Sequence, residues 1–156
     1  FKMYEGESED RLRYLSEELC ETVLKPGVYP GARDLIARSK AMGLTTVIVS
    51  GAPEFTLRPI AEHLGVDEFA GNRLEFVNHR CTGRMLPPVM ATATKSAWIR
   101  EWTEARNIRL SECYAFADSW SDLPMLAIVG HPAAVNPDLR LKTSARRHQW
   151  PVLDLR

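Results

Sequence analysis

Three short stretches carry residue types suited to handling a phosphate group. Ser50-Gly51 follows an apolar, β-branched run from Leu44 to Val49. A serine hydroxyl there can donate to a phosphate oxygen, and a glycine lets the backbone approach closely enough for its own N–H to do the same. Lys95 directly follows Thr94 at the start of a helical stretch. A cation there meets the positive end of the helix dipole, and a bound phosphoryl group would relieve the conflict. Asp118 closes a second apolar run, Tyr114 to Ala117, and Asp122 stands at the start of the next helix. One such aspartate is an ordinary helix cap. Two carboxylates so close repel each other, and a hard cation such as Mg²⁺ accepts both through oxygen. Taken alone, Ser50-Gly51 reads more simply as a strand-to-helix turn, and Lys95 reads equally well as a solvated lysine. The aspartate pair is the strongest of the three signals.

The two apolar runs that lead into these stretches read as short strands buried on both faces of a parallel sheet. The elements around them follow from caps and periodicity. A helix starts after Ser8, with Glu9 and Asp10 in its first turn and Leu12, Leu15, Leu19 and Val23 on one face; Lys25-Pro26-Gly27 ends it. A second opens at Pro30-Gly31, turns Leu35, Ile36 and Met42 inward and stops at Gly43. A third covers Pro53 to Leu64, stops at Gly65 and has Pro59 placed to kink it. Ala70 to Phe76 and Arg80 to Met85 predict strands around an Asn78-His79 turn. Thr94 is the expected cap of a helix to Arg106 with Trp98, Trp102 and Ala105 inward. A short helix around Pro124, a strand at Ala133 to Val135, a helix from Asn136-Pro137-Asp138 and a strand from Pro151 to Leu155 complete the chain. Such alternation predicts an α/β fold, a parallel sheet covered by helices on both sides. Ligands of such sheets sit beyond the carboxyl ends of the strands, where helix N-termini also point.

Composition narrows the partners. The 156 residues, 45% of them hydrophobic, suffice for one domain with a core. Twenty basic residues offset twenty acidic ones, so no basic surplus points to nucleic acid and no basic amphipathic stretch to a membrane surface. No apolar run approaches the ~20 residues of a membrane span. Phe1 to Glu5 lacks the apolar core of a signal peptide. Cys20, Cys81 and Cys113, like His63, His79, His131 and His148, lack metal-ligand spacing. Small buried or half-buried thiols in a reducing, cytoplasmic setting are expected.

In order and spacing these stretches resemble the haloacid dehalogenase (HAD) phosphatases, in particular the phosphoserine-phosphatase-like subgroup. Val47-Ile48-Val49-Ser50-Gly51 is similar to the second motif of that family, Lys95 to the third, and Asp118 to Leu126 to the fourth. Pro59 to Gly65, Thr82-Gly83-Arg84 and Val135 to Asp138 add to the likeness, which runs from about Pro26 to the C-terminus. The resemblance implies a three-layer α/β/α Rossmann-like core with the remnant of a helical cap, residues 1–24 ending the cap and 25–156 forming the core. It implies a Mg²⁺-dependent phosphomonoester hydrolase that acts on a small phosphorylated metabolite through an aspartyl-phosphate intermediate. Ser50 and the Gly51 N–H would bind the phosphoryl group, and Lys95 would neutralise it. Asp118 would ligate Mg²⁺, Asp122 would hold a metal water or orient Lys95, and Ser121 would face the substrate.

The family's first motif, Asp-x-Asp, supplies the nucleophile and the general acid/base, and these residues contain no Asp-x-Asp. The expectation is therefore a chain that begins inside the cap, lacks the first strand and its motif, and is inactive alone. It would expose a sheet edge open to self-association as a homo-oligomer. A different reading is a non-catalytic remnant that binds a phosphate-bearing ligand. A phosphotransfer receiver domain fits less well, because its acidic pair comes near the chain start, whereas here it comes last. Among the tryptophans, Trp98 and Trp102 read as core, while Trp120 lies inside the fourth motif, in reach of a substrate.

Overall fold

The first helix begins where its sequence signals it. Ser8 caps α1 (Glu9–Leu19) through its side-chain oxygen, which accepts the Arg11 N–H at 3.3 Å. The computed structural model describes residues 1–156 in two units, Phe1–Met90 and Ala91–Arg156. In the first, α1 packs on α4 (Glu54–Leu64) along a row that differs from the expected leucine face. Leu12, Ser16 and Cys20 are buried, whereas Leu15, Leu19 and Val23 are exposed. Residues four apart stack on one helix face, and a row with small Ser16 and Cys20 brings the two helices closer than a leucine row would. A wide π-helical turn, Cys20–Leu24, and a single turn α2 (Lys25–Gly27) follow, then α3 (Pro30–Ala41). Met42 lies past the end of α3 and is exposed, against the inward position expected of it.

The sheet of this unit has the order β1-β2-β3. Strand β1 (Val47–Pro53) runs parallel to β2 (Glu68–Val77), joined by α4 as a crossover. Gly65 ends α4 in the left-handed conformation, and Pro59 is carried inside the helix without dividing it. Strand β2 turns back into antiparallel β3 (Arg80–Leu86) through Asn78 and His79, both at positive φ as a tight hairpin turn requires. Leu12, Leu74 and Cys81 form its core cluster, with Tyr4, Phe55, Phe76 and Met85 packed against it. Val47, Ile48 and Val49 are half-buried rather than fully buried, because β1 is an edge of a three-stranded sheet.

The second unit opens with α5 (Thr92–Glu104) and continues through β4 (Tyr114–Ala117), α6 (Leu123–Leu126), β5 (His131–Val135), α7 (Leu139–Arg147) and β6 (Val152–Leu153). Its three strands are all parallel, in the order β4-β5-β6. The core is built largely of alanine: Ala115, Ala117, Ala134 and Ala145 surround Met125, Leu126 and Leu141. Strand β4 alternates rather than burying both faces, with Ala115 and Ala117 inward and Tyr114 exposed. On α5, Ile99 packs on the core cluster and Thr103 is buried, while Ala105 is exposed, contrary to expectation. Trp98 and Trp102 stack on each other, with ring centroids 6.1 Å apart, half-buried. Parallel strands and connecting helices give the α/β class that the alternation predicted, with the strands divided between two sheets.

Candidate active site

Ser50 and Gly51 lie in an irregular stretch of β1. Val49 pairs with Ala70 and Pro53 pairs with Asn72, so Ser50, Gly51 and Ala52 stand opposite Gly71 alone. Three residues against one must arch out of the ladder, as a bulge does. The strand therefore does not end at Ser50-Gly51, as expected; it detaches there and resumes at Pro53. The Ser50 hydroxyl oxygen accepts the Ala52 N–H at 3.1 Å, which leaves its proton to donate elsewhere. Gly51 is exposed, and a Cβ on it would come within 3.3 Å of the Met90 carbonyl oxygen. A Cβ on Gly71 would meet the Ala52 carbonyl oxygen at 2.7 Å and Leu57 Cδ1 at 2.6 Å, so only glycine fits beneath the arch.

Asn72 holds this arch, and no reading of the sequence singled it out. Its side chain is buried, at 2% exposure. Its amide nitrogen donates to the carbonyl oxygens of Gly51 (2.7 Å) and Met90 (3.2 Å), and its oxygen accepts the Met90 N–H at 2.7 Å. The available signal was a polar residue at an inward position of a strand, directly after a glycine. An open cavity of about 250 Å³ adjoins Asn72 and is also lined by Glu54, Phe55, Arg13, Arg58 and Arg73.

In the second unit, Lys95 and Asp122 are brought together. The Lys95 Nζ donates to Asp122 Oδ1 at 2.6 Å, with side-chain exposures of 12% and 15%. The negative partner that the helix position of Lys95 called for is thus supplied by this carboxylate. Thr94 is not the helix cap; α5 begins at Thr92, and the Thr94 hydroxyl oxygen accepts the Ala91 N–H at 2.7 Å. Asp118 follows the last residue of β4 and is exposed, with a carboxylate that makes no hydrogen bond or ion pair. Ser121 sits in the turn between Asp118 and Asp122, its hydroxyl 3.0 Å from that of Ser119.

Asp138, expected as a helix start and as part of the family likeness, fastens the Asp118 loop. Its carboxylate accepts the Leu141 N–H (2.8 Å), capping α7, and the Trp120 N–H (2.7 Å). Its own N–H donates to the Asp118 carbonyl oxygen at 2.8 Å. The Leu141 and Trp120 N–H groups hold the Asp138 carboxyl below the usual carboxylate range. Trp120 is exposed, with Arg140 over its ring at 5.7 Å. No group of three or more His, Cys, Asp or Glu side chains gathers as a metal cluster would. His131 stacks on Tyr114 and His148 on Trp150. The cysteines are free thiols, two buried and Cys113 half-buried, as expected.

The profile of the haloacid dehalogenase-like hydrolases matches residues 1–127. The chain belongs to this family. All of Ser50, Gly51, Lys95, Asp118, Ser121 and Asp122 fall inside the matched span, and Asp138 lies beyond it. This HAD-like chain is 34% identical over 149 residues to an inhibition of morphological differentiation protein of Streptomyces azureus, covering 96% of the chain and 54% of the relative. It is 30% identical over 152 residues to a phosphoserine phosphatase of Mycobacterium tuberculosis, covering 97% of the chain and 49% of that protein. A histidinol-phosphatase of Neisseria meningitidis is also 30% identical, over 92% of the chain and 70% of its own length. The chain thus spans about half the length of the first of these relatives. Among solved structures, a protein of unknown function from Bordetella pertussis superposes with a TM-score of 0.87 at 28% identity, over 96% of this chain and 68% of its own. A phosphoserine phosphatase in its apo form shares the fold, with a TM-score of 0.70 at 23% identity over 94% and 73% of the two chains. No helix of this HAD-like chain is long and apolar enough to cross a membrane.

Proposed function

We propose that this chain is part of a phosphomonoester hydrolase that acts on a small phosphorylated metabolite through an aspartyl-phosphate. The observation that carries the reading is the Lys95–Asp122 ion pair, together with the unpartnered Asp118 carboxylate at the end of β4. Phosphoryl transfer needs charge neutralisation and positioning more than covalent help from side chains. In this reading Ser50 donates its hydroxyl proton to a phosphate oxygen, and the Gly51 N–H donates to another. Lys95 neutralises the phosphoryl charge and is oriented by Asp122. Ser121 faces the substrate. Residues 1–24 are the end of a cap and 25–156 the core.

An exposed carboxylate with both oxygens free suits a hard divalent cation, and Asp118 is the residue that would hold Mg²⁺. The ion would supply charge neutralisation at the phosphoryl oxygens. The set is incomplete in this chain, which has no Asp-x-Asp to provide the nucleophile. The relatives named phosphoserine phosphatase and histidinol-phosphatase support a small phosphate monoester as substrate. The missing Asp-x-Asp also favours a second reading, a phosphate-ligand-binding domain without turnover.

The test uses p-nitrophenyl phosphate with the 156-residue chain and with a longer form that includes an upstream Asp-x-Asp segment. Turnover is expected in the longer form alone, and Asp118→Asn should lower it on the order of 100-fold while weakening its Mg²⁺ dependence. Unchanged turnover in Asp118→Asn would remove Asp118 from the site. Saturable phosphate binding without turnover in either form would establish the second reading.

A further inference from the structure

We infer that Asn72 is the positioning residue of the phosphate-binding arch, holding the Gly51 N–H and the Ser50 hydroxyl in the geometry that receives an anion. The inference rests on the proposed role of Ser50 and Gly51 and goes beyond it, because Asn72 touches no substrate in that reading. None of Ser50, Gly51 and Ala52 has a register partner in β2, so the shape of the arch must be fixed from elsewhere. The Ser50–Ala52 bond closes it only locally. Asn72 makes the long-range tie: one buried amide grips the carbonyl of Gly51 and both backbone groups of Met90, far away in sequence.

The direction of that grip matters. Gripping the Gly51 carbonyl from inside fixes the Gly51–Ala52 peptide plane, whose N–H the Ser50 hydroxyl oxygen accepts, and so leaves only the two torsions of Gly51 between that held plane and the Gly51 N–H. An anion site made of backbone N–H groups is effective only if they are aimed before the ligand arrives. A loose arch would have to be ordered at the ligand's expense. Gly71 makes room for the arch, and Met90 closes the far side, 3.3 Å from where a Gly51 Cβ would be. The buried amide can make this set of bonds because it donates and accepts at once. An aspartate of the same shape would keep the acceptor for Met90 N–H and set carboxylate oxygen against two carbonyls.

The experiment uses the ¹⁵N-labelled chain, wild type and with Asn72→Asp, Asn72→Ser and Ser50→Ala, titrated with inorganic phosphate. Two quantities are read: the shift of the Gly51 amide signal, and hydrogen exchange at Gly51 and Ala52 against Phe69 and Leu74 of the same sheet. Expected is a saturable Gly51 shift in wild type that Ser50→Ala weakens. Both Asn72 variants should raise the phosphate Kd and the Gly51 and Ala52 exchange rates on the order of tenfold, the worth of one such hydrogen bond, with Phe69 and Leu74 unchanged. Wild-type phosphate affinity and exchange in both Asn72 variants would overturn the inference and leave the Ser50-Gly51 site standing. So would a uniform rise across the sheet, or loss of fold in both variants by circular dichroism, since either makes Asn72 a core residue only. A wild-type Gly51 signal indifferent to phosphate would instead overturn the site itself, and the positioning role with it.

Discussion

Lys95 has its charge partner in Asp122, whereas Asp118 has none. In the proposed reading this contrast divides the work: a paired ammonium is held in one direction, and a free carboxylate is available to a cation. Asp122→Asn weakens the grip on a mostly buried ammonium. It should lower stability by about 1.5–3 kcal/mol in urea unfolding, the range for hydrogen bonds to charged groups. A melt identical to wild type would show the pair to be without structural weight. Gly71 sets a second residue-scale limit, because its missing Cβ is the space beneath the arch. Gly71→Ala should cost about 1–3 kcal/mol as overpacking against the Ala52 backbone. An unaffected midpoint would mean that the arch moves freely.

At the scale of elements, β1 depends on what precedes it. Asp67, just before β2, accepts the Thr46 N–H (2.8 Å) and the Thr46 hydroxyl (2.7 Å), and Lys40 of α3 lies 3.0 Å away. These contacts, the Thr46 N–H first, lower the Asp67 carboxyl from 3.8 to about 2. A depressed folded value means that the stabilisation is fully present above the ordinary aspartate range and is lost as pH falls through the folded value. The start of β1 should therefore loosen between pH 3.8 and about 2. Asp67→Asn should remove that part of the acid transition, as followed by the exchange of the Val47 and Ile48 amides. Acid curves that coincide for the two proteins would place the acid-sensitive group elsewhere. Asp138 plays the corresponding part for α7 and the Asp118 loop, with the same sign in acid.

At the scale of the whole molecule, each sheet ends in two edge strands. β1 and β3 bound one sheet and β4 and β6 the other, and an edge strand presents unpaired N–H and C=O groups that another chain can meet. Sedimentation of the 156-residue chain is expected to show concentration-dependent self-association. A single monomer species across the concentration range would refute it.

Local signals were legible in the residues: the Ser8 cap, the Asn78-His79 hairpin turn, the Gly65 stop and the strand from Tyr114 to Ala117 all stand where their chemistry placed them. Each depends on groups a few positions apart, so residue type and spacing determine them. The candidate phosphate, lysine and aspartate residues were singled out by type and spacing too, but Ser50 and Gly51 lie in an arch inside β1 and Lys95 is the fourth residue of α5, not at the element boundaries expected. What spacing could not decide was which side of α1 is buried, since Leu12, Leu15 and Leu19 share a periodicity that also fits the Leu12-Ser16-Cys20 row. That choice belongs to α4, the surface α1 meets. The arch at Ser50–Ala52, the Asn72 grip on Met90 and the Asp138 tie to Trp120 likewise join residues distant in the chain. Hydrogen bonds of that kind exist only once strands and helices have been brought into register, and only the tertiary structure determines them.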